Sequence, residues 1–115
     1  MRSQGDVCWT DLGDPIGSEA GFSRPTVVVQ SDPFNRSRIR TIVVVPLTTS
    51  LDAAQYPGNV PLSPRATGLP QLSVAAVAHV RAIAVERLGP PVGHLPPAQL
   101  SAVMRGVALV LGLSG

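Results

Sequence analysis

Two apolar runs rich in β-branched residues dominate the pattern of hydrophobic and polar positions in the first half of the chain. They lie at 26–29 and 41–45, and each has the length and valine content of a strand. Pro25 precedes the first run and holds Arg24 in an extended conformation, while Pro46 follows the second run and removes a donor from the hydrogen-bond ladder. The pattern predicts two strands that pair as an antiparallel hairpin.

The predicted hairpin has its turn near Arg36, and its register determines which side chains meet. When Val28 lies opposite Val44, the same register places Arg24 opposite Thr48, with Cβ atoms roughly 5 Å apart. A slip of one residue would send one of these two side chains to the other face of the sheet. In this register an arginine and a threonine therefore face each other at one end of the hairpin.

Three further segments have strand patterns. Residues 5–12 alternate loosely between apolar and polar side chains and predict a first strand. Val60-Pro61-Leu62 permits only a short or edge strand, because its proline cannot donate to a ladder. A longer apolar run extends over 73–85, and as one strand it would put His79 and Arg81 on the same face.

The last part of the chain predicts a helix. Gly89-Pro90-Pro91 breaks the chain, and Pro96-Pro97 can then open a helix because proline fits the first helical turn. Apolar residues follow at helical spacing up to Gly112, namely Leu100, Val103, Met104, Val107 and Leu111. Short strands with one terminal helix indicate a small, mostly β barrel, and we expect residues 1–115 to form a single domain.

The composition is typical of a globular protein. Hydrophobic residues make up 44% of the chain and charged residues 14%, which favours a well-buried core over disorder. So low a charged fraction also indicates that a partner covers some apolar surface. Since Cys8 is the only cysteine and no leader or bilayer-spanning run is evident, we expect a cytoplasmic protein that does not contact a membrane.

The positive charge of the chain is unevenly placed. All nine basic residues are arginines, and Arg36, Arg38 and Arg40 lie together in the predicted hairpin connection. If this segment is extended, its period of two puts three guanidinium groups on one face. Such a row fits either a ladder that follows phosphate groups or a charged strand edge that resists aggregation.

Several kinds of hydrolytic site are not supported by the residue types. His79 and His94 are separated by the Pro/Gly break, Cys8 is alone, and no close group of carboxylates exists, so neither a zinc site nor a two-metal site is predicted. A phosphate-binding loop that ends in lysine is excluded because the chain has no lysine. A Ser-His-Asp triad finds no support in the spacing of Ser18, His79 and Asp32. We expect no metal and no cofactor.

A series of short motifs, taken in order, resembles a known family. The motifs are Gly5-Asp6-Val7, Asp14-Pro15, Gly17-Ser18-Glu19, Arg24-Pro25, Val45-Pro46-Leu47-Thr48, Gly68-Leu69-Pro70, Ser73-Val74, Arg87-Leu88-Gly89 and Leu111-Gly112-Leu113. Their order and spacing are similar to those of the MazF/PemK toxins, the endoribonucleases of toxin-antitoxin pairs. The resemblance covers nearly the whole chain, and it implies an SH3-like barrel with a C-terminal helix.

The resemblance also implies a mechanism and partners. It assigns the main catalytic roles to Arg24 and Thr48, with metal-independent cleavage of single-stranded RNA at a short sequence to 2′,3′-cyclic phosphate and 5′-hydroxyl ends. It implies a homodimer whose interface forms the RNA groove, and a MazE-like antitoxin whose extended tail occupies that groove. Whether the physiological RNA is mRNA, tRNA or rRNA stays open.

The chemistry of arginine and threonine is compatible with those roles. In RNA cleavage the ribose 2′-hydroxyl is the nucleophile, so the protein has to manage two protons and stabilise charge on phosphorus. A guanidinium group binds two phosphate oxygens and stays charged, but it is a poor general base, which leaves the proton acceptor open. The alternatives are a structural salt bridge from Arg24 to Glu19, and an ordinary strand-end hydroxyl at Thr48.

Residues near these two are candidates for substrate contact. Phe22 is the best candidate for stacking on a base, because it lies beside Arg24 and the chain has few aromatic residues. The other candidates are Gly17, Ser18, Glu19, Ser73, His79 and Arg81. Relatives commonly carry Lys and Gln where this chain has Gln71 and His79, and 82–85 also departs from the family pattern. These differences put the cleavage sequence in question.

Two other functions compete with the nuclease. The first is a gyrase-poisoning toxin of the CcdB type, although that branch typically ends in Trp-Gly-Ile and this chain ends in Leu113-Ser114-Gly115. The second is a module that binds RNA or antitoxin without cleaving. The same barrel hosts nucleases and gyrase poisons, so the fold alone does not decide between them.

Overall fold

The computed structural model describes residues 2–113 of the chain. Within that range seven strands form: β1 (Asp6–Asp11), β2 (Ser23–Val28), β3 (Thr41–Thr48), β4 (Val60–Leu62), β5 (Ser73–Ala75), β6 (Arg81–Ala84) and β7 (Leu88–His94). The α-helices are α1 (Asp32–Asn35), α2 (Pro64–Thr67) and α3 (Pro97–Val110), and 3₁₀ turns lie at Leu51–Gln55, Val77–His79 and Val85–Arg87.

One antiparallel sheet contains all seven strands, in the order β4-β5-β3-β2-β1-β7, with β6 also paired to β3. The β2–β3 pair has Val28 opposite Val44, which is the register assumed for the predicted hairpin. On its other edge β3 pairs with β6 through its first half and with β5 through Leu47 and Thr48. Strand β3 is therefore the centre of the sheet, and its end leads directly to Thr48.

The valine runs contribute to two separate cores because successive side chains of a strand point to opposite faces. Val27, Val29 and Val45 belong to a cluster that packs beneath α3, together with Val103 and Val107 of that helix. Alternate residues build a second cluster on the other face, which contains Cys8, Leu12, Ala20, Val28, Ile42, Val44, Ile83 and Leu88. The sheet is thus covered on both faces, by a helix on one and by loop residues on the other.

Helix α3 is fixed closely against the loop that follows the Leu51–Gln55 turn. Gly106 in the helix has no room for a side chain, since a Cβ there would overlap the carbonyl oxygen of Gly58 and lie 2.9 Å from Val77. At its C-terminus Gly112 adopts a positive φ of 75°, and the N–H of Leu113 donates to the carbonyl of Ala108 at 2.8 Å. This Schellman-type ending satisfies carbonyls that the last turn leaves free.

Two carboxylates hold the N-terminal segment against the sheet. Asp32 accepts the backbone N–H of Gln4 at 2.9 Å, and Asp6 accepts the N–H of Ser3 and pairs with His94 Nδ1, both at 2.9 Å. The hydrogen bond from Gln4 and a second from Asn35 lower the pKa of Asp32 below its ordinary value.

Most predicted elements are confirmed, and three segments differ. The first strand, the short edge strand β4 and the terminal helix form as expected. The apolar run 73–85 is not one strand, because the Val77–His79 turn separates β5 from β6. The segment 36–40 is an exposed loop, so its three arginines form neither a strand edge nor a strand face. Residues 88–94, in which a break was expected, form strand β7.

Strand β7 contains Pro90 and Pro91 and still pairs with β1, though with irregular register. It lies at the edge of the sheet, where a missing N–H is tolerated. Across residues 2–113, the helices are all too short or too polar to pass through a lipid bilayer.

Candidate active site

Arg24 and Thr48 line the same cleft. The observed β2–β3 register pairs Thr26 with Pro46, and its extension by two residues would place Arg24 opposite Thr48. The cleft has a volume of about 660 Å³. Its lining consists of Ser18, Glu19, Ala20, Arg24, Thr48, Ala53, Tyr56, Pro57, Asn59, Ala76, Ala78 and His79.

The loop between β1 and β2 forms one wall of the cleft and is anchored at both ends. Leu12 and Phe22 join through a backbone hydrogen bond of 2.9 Å, and Ala20 packs into the second core. Glu19 Oε1 accepts the backbone N–H of Ile16 at 2.8 Å. These contacts hold the polar residues of the loop in place beside β2.

Arg24 is half-buried and has unused hydrogen-bond donors. Its Nε donates to the carbonyl of Gly21 at 3.2 Å, which orients the guanidinium plane. No ion pair joins Arg24 and Glu19 within residues 2–113, so the alternative of a structural salt bridge is wrong. The two terminal nitrogens keep their donors for an anionic group, in the fork arrangement that suits a phosphate.

Thr48 is also half-buried, at the end of β3. Its Oγ1 accepts the backbone N–H of Ser50 at 3.1 Å, which fixes the oxygen without using the hydroxyl proton. A hydroxyl group that already accepts one bond can still donate its proton to a neighbouring oxygen. Thr48 therefore presents a donor on the same side of the sheet as the Arg24 guanidinium.

His79 and Arg81 extend the cleft into an adjoining lobe of about 340 Å³. The two lobes share Glu19, Ala20, Ala78 and His79, so they form one continuous groove. Arg81 donates to the carbonyl of Leu12 at 3.5 Å, a weak bond that leaves most of its guanidinium exposed. Of the described residues that line either lobe, Glu19 is the only carboxylate, and the groove therefore favours an anionic ligand.

Three of the predicted substrate-contact residues lie outside this groove. Gly17 is exposed at the tip of the β1–β2 loop, with a φ of +58°. Phe22 is 63% exposed, has a positive φ of 59°, and does not line either lobe. Ser73 is buried to 2% exposure and lines a separate shallow groove with Trp9 and Pro25. The structure brings Ser18, Glu19, His79 and Arg81 to the groove.

The sequence interpretation missed Tyr56 and Asn59. Both lie in the polar segment that follows the Leu51–Gln55 turn, and both line the cleft. The sequence did offer a signal for Tyr56, because it is an aromatic residue in a polar segment and precedes a proline. Asn59 had no such signal, because its two hydrogen-bond partners are brought together only by the fold.

The other titratable groups do not add a metal site or a second nucleophile. Among residues 2–113, no three His, Cys, Asp or Glu side chains lie close enough to hold a metal ion. Burial raises the pKa of the Cys8 thiol, which lies in the second core. A buried thiol with a raised pKa is a packed side chain rather than a reactive one.

Comparisons with known proteins agree on one family. A model of the PemK-like, MazF-like toxins of type II toxin-antitoxin systems matches residues 3–111. Over 111 residues the chain is 38% identical to the endoribonuclease MazF6 of Mycobacterium tuberculosis, covering 96% of this chain and 97% of that protein. It is 31% identical over 110 residues to the endoribonuclease EndoA of Bacillus subtilis, covering 96% and 94%.

Solved structures show the same fold. A mycobacterial endoribonuclease in complex with its cognate antitoxin gives a TM-score of 0.80 at 23% identity, covering 100% of this chain and 99% of that chain. The Mycobacterium tuberculosis toxin MazF-mt6 gives a TM-score of 0.78 at 21% identity, covering 96% and 99%. These matches extend over both the curled sheet and the C-terminal helix.

Proposed function

The chain belongs to the PemK-like, MazF-like toxin family of type II toxin-antitoxin systems, and on this premise we propose that it cleaves single-stranded RNA as an endoribonuclease. The observation that carries the proposal is the shared cleft of Arg24 and Thr48, in which a guanidinium and a hydroxyl keep free donors. The endoribonuclease names of its sequence relatives support it.

The cleavage step uses a nucleophile that the substrate carries. The ribose 2′-oxygen attacks phosphorus and loses its proton to an acceptor, the bond from phosphorus to the 5′-oxygen breaks, and that oxygen takes up a proton. The products are a 2′,3′-cyclic phosphate and a 5′-hydroxyl. Arg24 binds the phosphate through its terminal nitrogens, and Thr48 donates to a phosphate oxygen, so both stabilise the extra negative charge of the transition state.

The groove beyond the reacting phosphate binds the flanking nucleotides. Ser18, Glu19, His79 and Arg81 contact the substrate from the groove, with Arg81 placed for a neighbouring phosphate. Gly17, Phe22 and Ser73 lie outside the groove, and the proposal gives them no contact with the bound strand. No step of this mechanism needs a metal ion, and we expect cleavage in the presence of a chelator.

An antitoxin and a second copy of the chain are the expected partners. Exposed apolar side chains cluster at the end of α3 and after it, namely Leu109, Val110, Leu111 and Leu113, and this distribution supports association. The solved mycobacterial endoribonuclease is bound to its cognate antitoxin, which supports a MazE-like antitoxin for this chain. The proposed site of action is the cytoplasm.

The deciding experiment is cleavage of a long single-stranded RNA of mixed sequence, with EDTA present and the new ends mapped. We expect discrete cuts by the wild type, and their loss in Arg24→Ala and Thr48→Ala. Removal of one transition-state donor typically costs about 10²- to 10³-fold in rate.

Two matched substitutions control for changes away from the cleft. Arg65→Ala removes an exposed arginine of α2, and Thr41→Ala removes an exposed threonine at the other end of β3. Both should cut normally. Absence of cuts by the wild type would overturn the nuclease and favour gyrase poisoning or binding without cleavage. Cuts that survive both active-site substitutions would place the reaction elsewhere.

A further inference from the structure

Tyr56 presents an aromatic ring to the cleft without any structural role that explains its position. Its side chain is 61% exposed although it lines the cleft beside Arg24 and Thr48. No other side chain or backbone group among residues 2–113 hydrogen-bonds its hydroxyl. A large aromatic side chain left open to solvent at the edge of a groove is typical of a surface that binds a ligand.

The space in front of this ring suits a flat group. Besides Tyr56, the lining of the cleft includes four small or compact side chains, Ala53, Pro57, Ala76 and Ala78. The imidazole of His79 is the other ring among the residues that line the cleft. Small lining side chains leave open space beside the two rings, here called the slot, and a nucleic-acid base is a planar group that stacks on such rings.

Asn59 ties together the two turns that carry these rings. Its Nδ2 donates to the carbonyl of Ala53 at 2.9 Å, in the turn that precedes Tyr56. Its Oδ1 accepts the backbone N–H of Val77 at 3.0 Å, in the turn that contains His79. Both ends of the amide are used, so this one side chain sets the spacing between the turns.

The turn that carries Tyr56 is also supported from behind. Gly58 lies against Gly106 of α3 with no space for a side chain between them, and Val77 contacts the same point of the helix. Neither turn can therefore move back without displacing the helix. A rigid pair of walls pre-organises a binding slot, which lowers the entropy lost on binding.

We propose that Tyr56 is a substrate-binding residue that stacks on an unpaired base next to the phosphate bound by Arg24, and that Asn59 is the positioning residue that fixes the slot. The inference rests on the proposed function, since it takes single-stranded RNA as the ligand. It differs from the sequence interpretation, in which Phe22 was the stacking candidate, because Phe22 lies outside both lobes of the groove.

The test uses 2-aminopurine, a fluorescent base that is quenched when it stacks. The probes are short single strands with 2′-fluoro sugars, which lack the nucleophile and so cannot be cleaved, with 2-aminopurine at one position in each strand. Binding to the wild type should quench the probe at one position relative to the others. Tyr56→Phe should keep this quenching and the affinity, because the ring remains.

Tyr56→Leu is the informative comparison, because leucine retains apolar bulk without a stacking face. It should lose the position-specific quenching and weaken binding about tenfold or more, in the range that one base–aromatic stack contributes. Asn59→Ala should reduce quenching while leaving the ring present, whereas Gln55→Ala, an exposed residue of the same turn, should change nothing. Phe22→Leu should also bind and quench like the wild type.

The outcomes separate this inference from the nuclease. If the wild type cuts RNA but Tyr56→Leu quenches and binds like the wild type, the stacking role is wrong and the nuclease stands. If the wild type does not cut but quenching depends on Tyr56, the slot exists in a protein that binds RNA without cleaving it. Quenching that depends on Phe22 instead would return the role to that residue.

Discussion

Gly106 of α3 is in direct backbone contact with Gly58, in the loop that follows the Leu51–Gln55 turn, so that a Cβ on Gly106 would overlap the carbonyl oxygen of Gly58. The helix therefore acts as the rigid support of the wall that carries Tyr56 and Asn59. Val77, at 2.9 Å from the same hypothetical Cβ, places the His79 turn under the same constraint. The width of the cleft is thus coupled to the packing of the helix.

Gly106→Ala tests this coupling. Alanine gains roughly 1 kcal/mol of helix propensity over glycine, but it overlaps backbone that cannot rotate away, and overpacking typically costs about 1–3 kcal/mol. Because the overlap is with backbone, we expect a cost at the upper end of that range and hence a net loss of about 2 kcal/mol in the free energy of unfolding, measured by urea denaturation, and slower RNA cleavage. Ser101→Ala, on the exposed side of the same helix, should change stability by less than about 0.5 kcal/mol. An unchanged Gly106→Ala protein would contradict the coupling.

Thr48→Val and Thr48→Ser separate the hydroxyl from the shape of the side chain. Valine keeps the volume and the strand preference of threonine but lacks the donor, so we expect cleavage to fall about 10²-fold or more while the melting temperature changes little. Serine keeps the oxygen that accepts the Ser50 N–H and should retain most of the rate. Equal activity of all three proteins would make Thr48 a structural residue.

How far the sequence predicted this site depends on the kind of interaction. The two strands were predictable because each β-branched run has the length of a strand and a proline beside it, whereas their register, with Val28 opposite Val44, was an assumption that the structure confirms. The broken run 73–85 was not, since periodicity cannot show that a buried apolar segment makes a 3₁₀ turn at Val77–His79. The family resemblance, carried by short motifs in order, is confirmed by the family model and its relatives.

Two features of the site could not be predicted from the sequence, because each depends on which hydrogen bonds Glu19 and Asn59 make in the folded chain. The Arg24–Glu19 salt bridge, which was the alternative role for Arg24, is absent from the described residues, and Glu19 accepts a backbone N–H within its own loop instead. Asn59 was missed because its partners, Ala53 and Val77, meet only in the folded chain. Propensity and spacing cannot reveal either arrangement.

Part of the loss of stability at acidic pH should come from Asp32. Its pKa is lowered in the folded state from the ordinary value of 3.8, first by the Gln4 N–H and then by Asn35. A depressed carboxylate pKa contributes stability that is fully present well above pH 3.8 and is lost as pH falls through the folded value. We therefore expect Asp32→Asn to lower the free energy of unfolding at pH 7. At pH 3 the free energies of unfolding of the variant and the wild type should differ by less. Urea denaturation at both pH values measures these free energies of unfolding. If the variant and the wild type differed equally at pH 7 and pH 3, the charge of Asp32 would not be involved.

The arginines outside the groove should contribute little to the cleavage of a short RNA. Arg36, Arg38 and Arg40 precede β3, and Thr48 ends it; seven residue steps along a strand span about 23 Å. Exposed charges are largely screened beyond a Debye length of about 8 Å at physiological salt. The triple substitution to glutamine should therefore leave kcat/KM for a short substrate within about twofold of wild type.

Arg81→Gln is the matched comparison for that triple variant, because it removes one charge from the groove itself. Its guanidinium makes only one weak bond, to Leu12, so its loss should affect binding more than folding. We expect a higher KM with a smaller change in kcat, and a shallower dependence of RNA affinity on salt, by about one unit in the log–log slope. The triple variant loses three positive charges and Arg81→Gln loses one, so the two variants separate the effect of net charge from that of the groove. If the triple variant raised KM more than Arg81→Gln did on the same short RNA, net charge rather than the groove would govern substrate binding.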